Sequence, residues 1–158
     1  MQLLVLFLLL VTPYLILTLV QKINPKLKIP EARKVRWGVT LMFLFTSLGH
    51  FLKTAEMAEM IPPIFPYREQ IIFLGGFPEL FGALGIWIPN LRKLAGIFLI
   101  AMLLGLLPFN IYAAINRVEF GAHDIGPIYL LIRIPFQFFA MWLVYLATGL
   151  DWFKFRKE

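Results

Sequence analysis

One acidic residue, Glu79, stands in the middle of the apolar run GGFPELFGALG at residues 75–85. In the hydrocarbon core of a membrane an unpaired carboxylate is very costly, so a residue of this kind marks a site by default. Three chemistries are open to it. Paired with a cation it clamps two helices together. Sharing a proton with a base such as His50 it can act as an acid or a base, because burial tunes the pKa of both groups. As a hydrogen-bond acceptor it can hold the polar head of a small molecule.

Other polar residues cluster at comparable depth. His50, Asn110 and Arg133 each fall about 7 to 8 Å to one side of the middle of their apolar segments, counted at the helical rise per residue, whereas Glu79 and Gln137 lie near the middle. Lys53 follows three residues after His50 at the mouth, and Arg133 and Gln137, four apart, share a helix face. An ion pair between Arg133 and Glu79 is expected, since arginine reaches over more than a turn and offers five donors. The candidate ligand-binding set is therefore His50, Lys53, Glu79, Asn110, Arg133 and Gln137, with His50 and Glu79 the candidate acid–base pair. No metal site is expected: His50, Glu56 and Glu79 lack a ligand spacing, and His123-Asp124 falls in an external connection where polar residues need no special cause.

The elements that position these groups are membrane helices. Of 158 residues 60% are hydrophobic and 15% charged, with a mean hydropathy of +0.80, more apolar surface than a soluble domain of this length can hide. Five apolar blocks, Leu3 to Val20, Trp37 to Thr54, Ile71 to Ile88, Leu94 to Ile115 and Ile128 to Leu150, are each near the length that crosses a bilayer. The first has no basic leader and no small-residue cleavage site, so it is expected to be retained rather than removed as a signal peptide. The whole chain reads as one polytopic domain.

Pro78, Pro108 and Pro135 sit beside Glu79, Asn110 and Arg133, and each frees a carbonyl four residues earlier that must face protein, water or ligand. Gly75, Gly82 and Ala83 flank Glu79 at helical offsets and predict close packing by neighbouring helices. The connection at residues 53–70 carries Pro62, Pro63 and Pro66 and is expected to form a short amphipathic extension and a stiff cap, with Phe65 and Tyr67 as interfacial anchors.

Basic residues alternate between connections. Lys22, Lys26, Lys28, Arg33, Lys34 and Arg36 crowd the first, Arg92 and Lys93 mark the third, and Lys154, Arg156 and Lys157 mark the tail. That pattern predicts the N-terminus outside and the C-terminus in the cytoplasm. These residues are expected to meet lipid headgroups, and no soluble module presents them to nucleic acid. Cysteine is absent, which excludes a dithiol relay, thiolate metal ligation and cysteine-anchored iron–sulfur chemistry within the chain. The glycines lie inside apolar spans, so no phosphate-cradling loop is present.

RWGVTLMFLFTSLGHFLK, MIPPIFPYREQIIFLGGFPELFGALGIWIPNLRKLAG and LLPFNIYAAIN, between Arg36 and Leu150, together resemble the DoxX-like family of small bacterial membrane proteins. The resemblance implies an all-α, compact four-helix bundle over residues 36–150, to which residues 1–21 add an N-terminal transmembrane helix, and it places His50, Glu79 and Asn110 at recurrent polar positions. It implies a cytoplasmic-membrane location and, for some members, a link to quinone-coupled redox systems. The leading expectation is an accessory or binding protein holding a small lipophilic or quinone-like molecule, with none covalently attached. Two others stay open: a structural or assembly subunit, partnered by another membrane protein or by its own copy, and a proton-transfer or isomerase enzyme using His50 and Glu79. An alternating-access transporter has little support, since five spans show no internal repeat.

Overall fold

The computed structural model describes residues 2–150, so the basic tail at Lys154, Arg156 and Lys157 lies outside the described residues. Those residues are all-helical: α1 Gln2–Ile23, α2 Glu31–Leu52, α3 Thr54–Ala58, α4 Arg68–Gly85, α5 Arg92–Ile115 and α6 Leu130–Thr148, with short 3-10 turns at His123–Ile125 and Pro127–Tyr129. Four segments are long and apolar enough to cross a membrane: Gln2–Ile23, Glu31–Leu52, Arg92–Ile115 and Pro127–Thr148. The chain is a multi-pass membrane protein. The fifth expected span differs in composition, because the 18 residues of α4 carry Arg68 and Glu69 in the first turn and Glu79 beyond the middle.

Helix α2 packs against α1, α4 and α6, while α5 packs against α4 and α6. These contacts close α2, α4, α5 and α6 into a ring in which, among the described residues, neither α2 and α5 nor α4 and α6 pack directly. Helix α1 lies outside the ring on α2, with an edge against α6. Its seat is Gly38: a Cβ there would come 2.0 Å from the Leu10 carbonyl oxygen, so only glycine lets the two backbones meet this closely. Leu6 and Leu10 are thereby buried with Val39, Met42 and Phe43 in the main core. Elsewhere large apolar side chains face outward, among them Leu15, Leu74, Phe81, Leu94 and Leu131, as surfaces solvated by lipid do.

Two of the expected headgroup anchors are structural instead. Lys34 is buried and meets Glu31 at 2.7 Å. Arg36 is also buried and donates from Nε and Nη2 to the Ala147 carbonyl at 3.1 and 3.0 Å, with its guanidinium over the Trp87 ring. The last turn of a helix leaves carbonyls without partners, and a long cationic side chain from the neighbouring helix fills this one. Charge counting along the sequence does not distinguish an arginine turned to the bundle from one turned to lipid.

Candidate functional site

The ring leaves a cavity of about 340 Å³ toward the end where α2 stops and α4 begins. Its walls are mostly apolar, and its polar groups form two stations. The first joins α2 to α4. Within it, His50 Nδ1 lies 2.7 Å from the Ile72 carbonyl. A carbonyl only accepts, so Nδ1 carries a proton and donates, which turns Nε2 toward Glu79 Oε1 at 3.6 Å. One proton then decides the pair's charge: on Nε2 it makes an ion pair, and on the carboxylate it makes two neutral groups. Gly75 allows this placement, since a Cβ there would lie 3.3 Å from the imidazole. Ser47 ties the same helices by donating to the Gly76 carbonyl at 2.9 Å. Glu79 is 3% exposed, and its Oε2 has no hydrogen-bond partner among the described residues.

The second station joins α5, α6 and the loop between them. Arg133 Nε donates to Asn110 Oδ1 at 3.1 Å, and Asn110 Nδ2 donates to the Leu106 carbonyl at 2.8 Å. The amide is thereby oriented with its oxygen toward the cation. His123, also buried, holds the Phe120 carbonyl at 2.5 Å through Nδ1 and places Nε2 3.3 Å from the same Asn110 oxygen. Its ring stands edge-on to Tyr129 at 4.6 Å. Burial, reinforced by the nearby charge of Arg133, holds the His123 pKa below the usual imidazole value. The unfolded ring takes up its proton near about pH 6.5 and the folded one only lower, so the stability tied to its neutral form is complete above that pH. As the pH falls from there toward the folded pKa this stability is lost. Unfolding measured in bicelles from pH 7.5 to 5 is expected to show that decline, and His123→Asn is expected to remove part of it.

Four of the expected residues, His50, Glu79, Asn110 and Arg133, line this one cavity, but the expected Arg133–Glu79 pair does not form within 4 Å. Arg133 Nε is engaged by Asn110, and the partner of Glu79 is His50. Two residues turn elsewhere. Lys53 pairs with Glu56 at 2.7 Å on the surface. Gln137 is buried outside the cavity lining and donates from Nε2 to the Leu103 carbonyl, tying α6 to α5. Among the described residues, side-chain donors do not reach the carbonyls at 74, 104 and 131 that Pro78, Pro108 and Pro135 free, but reach carbonyls near the first two: Ile72 and Gly76 flank 74, and Leu103 and Leu106 lie beside 104.

The expected cap is present. Met57, Met60 and Ile61 roof the cavity, and Phe65 meets Phe109 at 5.9 Å, while Tyr67 is exposed. His123, expected in an exposed connection, is the residue that sequence reasoning missed. The signal lay in GAHDIG: Gly121, Ala122 and Gly126 all take positive φ, which folds the loop back onto Asn110. No group of three or more histidine, cysteine, aspartate or glutamate residues that could hold a metal ion stands together among the described residues.

Helices arranged in a ring, apolar outside and enclosing a polar-ended cavity, define an all-helical multi-pass membrane protein. The chain belongs to the family described as a domain of unknown function, DUF8561, whose model matches residues 39–148. The matched stretch runs from within α2 to the end of α6 and takes in His50, Glu79, Asn110 and Arg133, while α1 lies before it. Searches of curated proteins and of solved structures found no match.

Proposed function

We propose that this protein is a binding or accessory protein of the cytoplasmic membrane that holds a small lipophilic molecule in the cavity of its helical ring. The observation that carries this reading is the Glu79 Oε2 atom, buried and without a partner beside a cavity whose other walls are largely apolar. A buried carboxylate oxygen costs stability unless something hydrogen-bonds it, and a purely structural clamp would have satisfied it with Arg133. The cavity volume, about 340 Å³, falls at the small end of the range for small-molecule sites. It suits the head and ring of a quinone-like molecule, with any long tail outside.

On this reading Arg133 and Asn110 face an oxygen of the ligand, the His50–Glu79 pair meets a donor or acceptor at its other end, and Met102, Leu106 and Phe109 hold its apolar body. The resemblance to DoxX-like proteins agrees with such a role, as does a topology with the N-terminus outside and the cavity in the outer half of the bundle. A second reading, proton transfer to or from a bound molecule, is favoured by one feature: the His50 tautomer is set by Ile72, leaving Nε2 for Glu79.

Purification in native-lipid particles followed by mass spectrometry of retained molecules tests the proposal. A stoichiometric lipophile is expected with the wild type and is expected to be lost from folded Glu79→Gln. An equal complement of lipids in both would overturn the reading and leave assembly as the role of the buried pair.

A further inference from the structure

The cavity's walls are uneven, and the unevenness points to where its occupant comes from. Toward water the end is closed twice. Ile61 and Ala58 of the first cap are buried, and Phe65 packs on Phe109. The second cap buries His123 and Tyr129, and Gln2 of α1 reaches Gly121. Helix α1 covers one flank by placing Leu3 and Leu6 in the wall.

The seam between α4 and α5 is built differently. In its inner half it is shut, because Leu99, fully buried, packs directly against Gly82, and Ala95 packs against Gly85. In its outer half α4 offers the short ring of Pro78, and Gly75, where a Cβ would meet His50 of α2 and no atom of α5 within 4 Å. The lining residues Ile71 and Phe98 are each 44% exposed, whereas His50 and Glu79 behind them are 5% and 3% exposed. Around that gap the outward residues Leu74, Phe81 and Leu104 are exposed and apolar, so the surface it opens on is one that lipid solvates.

We propose that the cavity is loaded sideways from the bilayer through the outer half of the α4–α5 seam, so that its ligand is an uncharged, membrane-dissolved lipophile with a hydrogen-bonding head and not a water-borne solute. This rests on the reading of the cavity as a small-molecule site. A charged solute would have to cross hydrocarbon to reach the seam, and that cost excludes it. The neutral head meets the polar stations only after passing Ile71 and Phe98, which act as the flexible edges of the opening.

The chain has no cysteine, so an introduced one is the sole thiol. Met102→Cys, in the cavity wall, would be treated in native-lipid particles with pyrene maleimide, which dissolves in lipid, and with a charged methanethiosulfonate, which stays in water. Phe81→Cys on the lipid face and Ile64→Cys on the exposed cap serve as reactivity controls. The expected result is labelling of Met102→Cys by the lipophilic reagent alone, accelerated severalfold by Phe98→Ala. Labelling by the charged reagent would overturn lateral entry while leaving an accessible cavity. Labelling by neither, with both controls reactive, would overturn lateral entry and the small-molecule reading together. The unmutated chain gives a second measurement: dicyclohexylcarbodiimide is expected to modify Glu79 from the lipid phase, and an adduct formed only by a water-soluble carbodiimide would overturn the proposal.

Discussion

Asn110→Leu is expected to cost about 1.5–3 kcal/mol of stability, the loss typical of hydrogen bonds to a charged group, and to abolish ligand retention. Asn110 bonds to Leu106 within α5 and to Arg133 of α6, and its oxygen lies 3.3 Å from His123 Nε2 of the intervening loop. Leucine keeps the volume but leaves the Arg133 guanidinium without its acceptor in a partly apolar cavity. Asn110→Asp restores the acceptor and loses the bond to Leu106, so it is expected to fall between wild type and leucine. Equilibrium unfolding in bicelles checks the order. Equal stability of all three proteins would show that Arg133 is satisfied without Asn110.

Gly38→Val is expected to detach α1. Its Cβ would stand 2.0 Å from the Leu10 carbonyl oxygen, a backbone atom that no side-chain rotation can move aside. Overpacking of this kind costs about 1–3 kcal/mol where the surroundings relax, and here relaxation means withdrawal of the whole helix. Leu3 and Leu6 would leave the cavity wall with it, so ligand retention falls too. Gly105→Ala is the matched control, since a Cβ at Gly105 meets nothing within 4 Å. Limited proteolysis of the 24–30 connection and hydrogen exchange along α1 read the outcome: fast cleavage and lost protection in Gly38→Val, with Gly105→Ala unchanged.

The candidate site is partly legible in the sequence because ionisable and amide groups are costly in hydrocarbon. That single fact singled out Glu79, His50, Asn110 and Arg133, which the fold gathers at one cavity. Depth along a helix does not give direction around it. Lys53 and Gln137 satisfied the same depth argument, yet one turns to Glu56 on the surface and the other to Leu103 between helices. The observed pairing departs from the expected one for a related reason. Arginine's reach made Arg133 the natural partner of Glu79, but the nearer amide of Asn110 and the imidazole of His50 took both ends.

His123 was hidden because its burial depends on loop backbone, with positive φ at Gly121, Ala122 and Gly126, and not on any apolar period. Arg36 shows the converse. Its place beside an apolar span reads as a headgroup anchor, whereas the end of α6 supplies a carbonyl that draws it inward. The seat of α1 turns on Gly38, a residue whose importance lies in the distance to another helix.

The most direct measurement is an experimental structure of the protein purified in its native lipid, at a resolution that shows side chains and small molecules. A non-protein molecule is expected in the cavity, its polar end within hydrogen-bond distance of Glu79 Oε2 and its body running toward the gap between Ile71 and Phe98. A cavity filled by collapsed side chains, with Glu79 paired directly to Arg133, would contradict it.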